Sequence, residues 1–99
     1  MSVTFFDPEN PAQYDSEYNQ VDGGPEVNFA NNTAAAVLRR MGILDEETWV
    51  LYGSMAGEDF RKLIKRGIIV AERLGEDFVV ERLERLLNAF IDAKAVSWQ

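Results

Sequence analysis

The groups in this chain that can do chemistry are carboxylates, hydroxyls, amides and the cations of Lys and Arg, because its 99 residues include neither histidine nor cysteine. That composition excludes thiolate nucleophiles, imidazole general bases, Ser-His-Asp triads and zinc sites built from Cys and His. The carboxylates are unevenly spread. Asp7, Glu9, Asp15, Glu17, Asp22 and Glu26 fall within residues 1–32, which hold no Lys or Arg, so this stretch carries −6 of the total −7. Residues 33–99 balance eleven acids against ten bases, a net −1. Tyr14 and Tyr18 stand four apart in the acidic stretch, and tyrosine is a side chain that binding interfaces favour.

Oxygen ligands at Asp7, Glu9, Asn10, Asp15 and Glu17 raise the question of a cation, and Ca²⁺ takes about six to eight of them. The Asp-x-Asp-x-Asp-Gly spacing that ends in a bidentate Glu is absent, so no metal and no cofactor are expected. A glycosidase-like carboxylate pair needs a sugar cleft, for which so short a chain with a helical body has little room. No catalytic residue is assigned. The acids Asp7, Glu9, Asp15, Glu17 and Asp22, with Tyr14 and Tyr18, are read as contacts for a protein partner with a basic surface. The alternative is a small enzyme or ligand-binding protein using Asp/Glu and Tyr beneath residues 7–26. Such an acidic chain is repelled by phosphate backbones and anionic lipid. Direct nucleic-acid binding and membrane association are therefore not expected.

Three further groupings have a functional and a structural reading. Asn28, Asn31 and Asn32 at an extended-to-helical turn resemble an anion site, but no glycine or lysine follows as a phosphate loop would require. Asn31 and Asn32 are expected instead to cap the helix, as Ser54 is expected to cap the next one. Arg61, Lys62, Lys65, Arg66 and Arg73 form a basic stripe, read as a solvated face that pairs with Glu58 and Asp59. A variant has this stripe clasping the acidic segment. Ile69, Val70, Trp49 and Trp98 are apolar surplus for so small a core, and a second copy of the chain is one candidate to cover them.

The elements that position these residues follow from spacing. Residues 2–6 (Ser-Val-Thr-Phe-Phe) are β-branched and aromatic and stop at Asp7-Pro8, which predicts a short edge strand. Residues 7–26 hold Pro8, Asn10, Pro11, Asp22, Gly23, Gly24 and Pro25 without a period, a loop of about twenty residues. Residues 27–30 alternate as a strand. Ala34, Val37, Leu38 and Met41 then follow the helical i, i+3, i+4, i+7 spacing up to Gly42. Residues 45–52 read as one turn of helix or as a short strand. Residues 53–56 form a connector. Phe60, Leu63, Ile64, Gly67, Ile68, Ala71 and Leu74 keep a 3.6 period, with a buried strand at 68–70 as the competing reading. Val79, Val80, Leu83, Leu86, Leu87, Phe90 and Ile91 stripe a last helix, and residues 95–98 form a terminal strand expected to pair with 27–30.

The expected architecture is therefore α+β in a single domain of residues 1–99. Three helices (about 33–41, 57–74 and 76–94) pack on a two- or three-stranded sheet, and residues 1–32 form an acidic strand-plus-loop segment ahead of a helical body. No run approaches the length of a membrane span, and the first residues lack the basic and apolar regions of a signal peptide, so a cytoplasmic protein is expected.

The run Val27-Asn28-Phe29-Ala30-Asn31-Asn32-Thr33-Ala34, continuing through Leu38 and Met41-Gly42-Ile43, resembles a group of small bacterial and phage-associated proteins of unknown function. Tyr52-Gly53-Ser54-Met55 ahead of a helix and Val96-Ser97-Trp98 at the end extend the resemblance over most of residues 27–98. It implies an α+β architecture and a phage or mobile-element setting. It implies no chemistry.

Overall fold

Alternation along residues 2–6 sends Val3 and Phe5 to one side of an extended chain and Ser2, Thr4 and Phe6 to the other. In the computed structural model, which describes residues 1–99, this segment is strand β1 (Ser2–Phe6), and Val3 and Phe5 are buried. The chain continues through a small hairpin, β2 (Gln13–Tyr14) and β3 (Gln20–Asp22), to β4 (Glu26–Ala30) and helix α1 (Asn31–Met41). There follow β5 (Gly53–Ala56), α2 (Gly57–Arg73), α3 (Asp77–Ala89) and β6 (Ala95–Trp98). The main sheet is antiparallel with strand order β4-β1-β6-β5. The protein is an α+β fold of three helices with a four-stranded sheet and a separate two-stranded one.

Burial decides the sheet order. Phe5 lies opposite Val27 of β4 on one side and Trp98 of β6 on the other. Its ring centroid stands 5.9 Å from Phe29, 6.1 Å from Phe60 and 5.9 Å from Trp98. Strand β1 is thus interior rather than at an edge. The expected pairing of 95–98 with 27–30 is replaced by pairing of β6 with β1 and β5, because the Trp98 ring stacks on Phe5 from the side that β4 does not occupy. The sheet has four strands instead of two or three because residues 53–56 are a strand. Gly53 carries no side chain where the Trp98 ring passes; a Cβ there would meet the ring at 2.5 Å. Ser54, Met55 and Ala56 pair with Ser97, Val96 and Ala95.

The helices cover one face of the sheet through a core that joins every layer, from Val3 and Phe5 through Leu38 and Met41 to Phe60, Ile64, Leu83 and Phe90. Residues 68–70 are helical: the buried positions Phe60, Ile64, Gly67 and Ala71 keep the 3.6 period through α2. Residues 45–48 form a turn, with the Asp45 carboxylate accepting the Glu47 N–H at 2.9 Å, and β5 begins only at Gly53. Both helix ends at Gly42 and Gly75 use left-handed backbone, φ 80° and 70°. The Arg40 guanidinium grips the Glu76 carboxylate with two bonds of 2.5 and 2.8 Å, tying the end of α1 to the start of α3.

Neither predicted set of helix caps is used. The residue before α1 is Ala30, the residue before α2 is Ala56, and neither helix has a side-chain cap. Strand β4 runs into α1 without a break, so Asn31 and Asn32 lie inside the first turn, and the Asn31 N–H donates to the Met1 carbonyl at 3.4 Å. Ser54 lies in β5, where its hydroxyl accepts from Ser97 at 3.0 Å on the uncovered face of the sheet. On that same face the Asn28 amide donates to the hydroxyls of Ser2 (3.0 Å) and Thr4 (2.9 Å).

The start of α2 shows how tightly the layers meet. The Gly57 N–H donates to the Lys94 carbonyl at 2.8 Å, and a Cβ at this position would stand 1.8 Å from the Ala93 carbonyl oxygen. Overfilling against backbone costs about 1–3 kcal/mol. Gly57→Ala is expected to lower the free energy of unfolding by that amount in denaturant titration, despite alanine's better helix propensity. Ile69→Ala, on the solvent side of the same helix, is expected to change it by less than about 0.5 kcal/mol.

Candidate partner-binding site

The acidic segment is built by its own carboxylates. Asp7 ends β1 and accepts the Glu9 N–H at 2.9 Å, and the Asn10 N–H bonds back to the Asp7 carbonyl. Farther on, one oxygen of Asp15 accepts from the N–H groups of Glu17 (2.8 Å) and Asn19 (3.0 Å), closing the turn between β2 and β3. Tyr18 occupies the left-handed region there, φ 63°. Asp22 accepts the Gly23 N–H at 2.8 Å, and the Gln20 amide donates to the Gly24 carbonyl at 2.8 Å. The twenty-residue loop expected between the strands is therefore a hairpin whose turns are closed by aspartates. Strands β2 and β3 pair with each other and with no strand of the main sheet, so the hairpin projects from the body.

This geometry separates the predicted contact residues. Asp7 is the one buried charged residue, 7% exposed, and is turned into the hairpin's base. Glu9, Asp15, Glu17 and Asp22 lie exposed along the projection. Tyr18 is 87% exposed and Tyr14 44%, so both rings are open to solvent. Partial burial and the neighbouring Glu26 carboxylate hold the Tyr14 hydroxyl above its usual range. Val21, on β3 and 63% exposed, adds apolar surface to the same hairpin. Its position was not legible as a contact, because in the sequence it is a lone valine between polar residues.

None of the six acids of residues 1–32 forms an ion pair; all five in the molecule lie within residues 39–85. The clasp between the acidic segment and α2 is not formed. Arg61 instead donates to the Phe90 and Ala93 carbonyls at 3.0 and 2.7 Å, holding the chain that leaves α3. Lys62 pairs with Glu58, while Lys65, Arg66 and Arg73 are exposed without an acidic partner. Of the apolar surplus, Trp98 is spent in the core, whereas Trp49 is half exposed with the Arg39 guanidinium 6.0 Å from its ring. Ile69 remains exposed.

One cavity of about 240 Å³ opens between the base of the hairpin and the end of α3, lined by Asp7 and Asn10 and by no tyrosine. No group of three or more acids is placed to hold a metal ion, and no helix is long and apolar enough to cross a membrane. The fold and the site thus define an α+β protein that carries a projecting acidic hairpin. Comparison with protein-family models, with curated proteins and with solved structures returns no match.

The turn at Asp15 makes the hairpin's order pH-dependent. The N–H groups of Asn19 and then Glu17 hold the Asp15 carboxyl below its usual range. A folded value below the unfolded one means that this contribution is present above the ordinary aspartate range, near 3.9, and is lost as pH falls through the lower folded value. Protection factors of the Glu17 and Asn19 amides in hydrogen exchange are expected to be flat above about pH 4 and to fall below it. In Asp15→Ala they are expected to be low at every pH.

Proposed function

We propose that this protein is a non-enzymatic binding module whose acidic hairpin engages a basic surface on a protein partner. The single observation that carries this reading is the hairpin's unpaired charge: Glu9, Asp15, Glu17 and Asp22 project with Tyr14, Tyr18 and Val21, and no cation of the chain neutralises them. Carboxylates left to solvent steer a cationic partner and set the salt dependence of its association, while exposed aromatic rings supply the area that becomes buried. The aspartate-closed turns lower the entropy lost on binding, since the hairpin already holds its shape. A partner surface that otherwise grips nucleic acid has the required charge, and the module would act by occupying it. The resemblance of residues 27–98 to small bacterial and phage-associated proteins supports a phage or mobile-element setting.

The test is capture from a host lysate with the full chain and with Glu9→Gln/Glu17→Gln, two acids whose carboxylates close no turn. The expected result is a basic protein held by the native chain, released between about 0.05 and 0.5 M salt and lost with the double variant. Equal capture by both chains overturns the reading. So does turnover of any substrate that disappears on changing Asp15 or Glu17.

A further inference from the structure

The cavity at the base of the hairpin has a chemistry of its own. One wall comes from Asp7, Asn10 and Pro25, where the hairpin leaves and rejoins the sheet; the other comes from the end of α3, with Ile91, Asp92 and Ala93. Asp7 is more than nine-tenths buried as a residue, and of its carboxylate only Oδ1 accepts a hydrogen bond, from the Glu9 N–H. Oδ2 has no donor in the protein. Since no polar side-chain atom of the molecule is both sealed from solvent and unbonded, Oδ2 is reached by solvent, and Asp7 lines the cavity. Neither Asp7 nor Asp92 is paired with a cation, and the nearby Arg61 is committed to the Phe90 and Ala93 carbonyls. The C-terminal end of α3 adds the negative end of its dipole.

A buried carboxylate without a counter-ion is costly unless something cationic completes it. At about 240 Å³ the cavity is smaller than the roughly 300–1,000 Å³ of pockets that enclose whole small ligands, so it suits one side chain. Pro25 and Ile91 offer apolar wall for an aliphatic stem, and Asp7, Asp92 and the Asn10 amide oxygen offer acceptors for its head. We infer that this cavity is an anchor site for a single arginine or lysine side chain of the protein partner. The inference rests on the reading of a basic partner and locates where one cationic residue of that partner is buried. Exposed charges of the hairpin attract the partner; the cavity fixes its register, since arginine buried in a pocket is a recurrent hot spot of interfaces.

The experiment titrates the capped peptide Gly-Arg-Gly, and its counterpart bearing neutral citrulline, into the full chain while backbone amide shifts are followed by NMR. The expected result is saturable shifts centred on Asp7, Asn10, Asp92 and Ala93 with the arginine peptide and none with citrulline. Affinity should fall roughly tenfold in Asp92→Asn, as the loss of a hydrogen bond to a charged group implies. That variant is at an exposed position and keeps the rest of the spectrum. Asp7→Asn, which can still accept the Glu9 N–H, is expected to abolish the shifts. Persistence of the cavity shifts in Glu9→Gln/Glu17→Gln would support the anchor even if partner capture through the hairpin failed. Shifts confined to Asp15–Asp22 overturn the anchor and leave the hairpin reading standing. Equal response to citrulline, no saturable response, or saturation of the same amides by Ca²⁺ in place of the peptide each overturn it as well.

Discussion

The aromatic contact between Phe5, Phe60 and Trp98 is the interaction on which the rest of the structure depends. Three rings from β1, α2 and β6 stand 5.9 to 6.1 Å apart, centroid to centroid, and Phe29 and Phe90 extend the group to β4 and the end of α3. Each ring brings a large apolar area out of water, and tilted or edge-on pairs add about 0.5–1.5 kcal/mol beyond that area. The group also determines topology. Because Trp98 must reach Phe5, β6 enters the sheet beside β1. Because the ring then occupies the neighbouring position, β5 must present Gly53 there. The hairpin is held out from the body by strands that this cluster keeps in place.

Those strands also explain why acidity is concentrated where it is. Residues that pack a core of this size have little use for carboxylates, and the helical body balances its own with arginines and lysines, some of them in ion pairs within a helix, as Glu81 with Arg85, or between helices, as Glu76 with Arg40. The segment between β1 and β4 contributes almost nothing apolar to the core. It can therefore carry like charges, and three of its aspartates use them to accept backbone N–H groups that would otherwise point to solvent. The same carboxylate is a structural acceptor through one oxygen and a surface charge through the other.

What was legible in the sequence followed from local periodicity. The 3.6 spacing of Phe60, Ile64, Gly67 and Ala71 belongs to a helix whatever surrounds it, and α1, α2, α3, β1, β4 and β6 all carry such signals. Strand β5 carries none: Gly53, Ser54, Met55 and Ala56 have small or unbranched side chains, and the segment becomes a strand only because β6 offers it an edge. Asn31 and Asn32 have the right chemistry for capping but begin one residue too late, since the chain turns helical directly after Ala30. The acidic segment was visible as charge, yet its hairpin was not, because it depends on Asp15 meeting Asn19 and on Tyr18 adopting positive φ. The cavity joins residues 7 to 25 with residues 89 to 93, and no local pattern relates those two stretches.

The interior position of β1 also has a consequence in time. Thr4 exchanges backbone hydrogen bonds with Gln99 in both directions, at 2.8 and 3.1 Å, so a residue near one end of this chain waits for a residue near the other. Helices α2 and α3 and the β1 to β4 ladder can form from nearer neighbours as the chain leaves the ribosome. The middle of the sheet cannot. Until residue 98 emerges, Phe5 lacks its stacking partner and β1 has an open edge, the condition in which a nascent chain is most exposed to pairing with a neighbour. Closure of the sheet therefore waits for β6, and the Trp98 ring is what completes it.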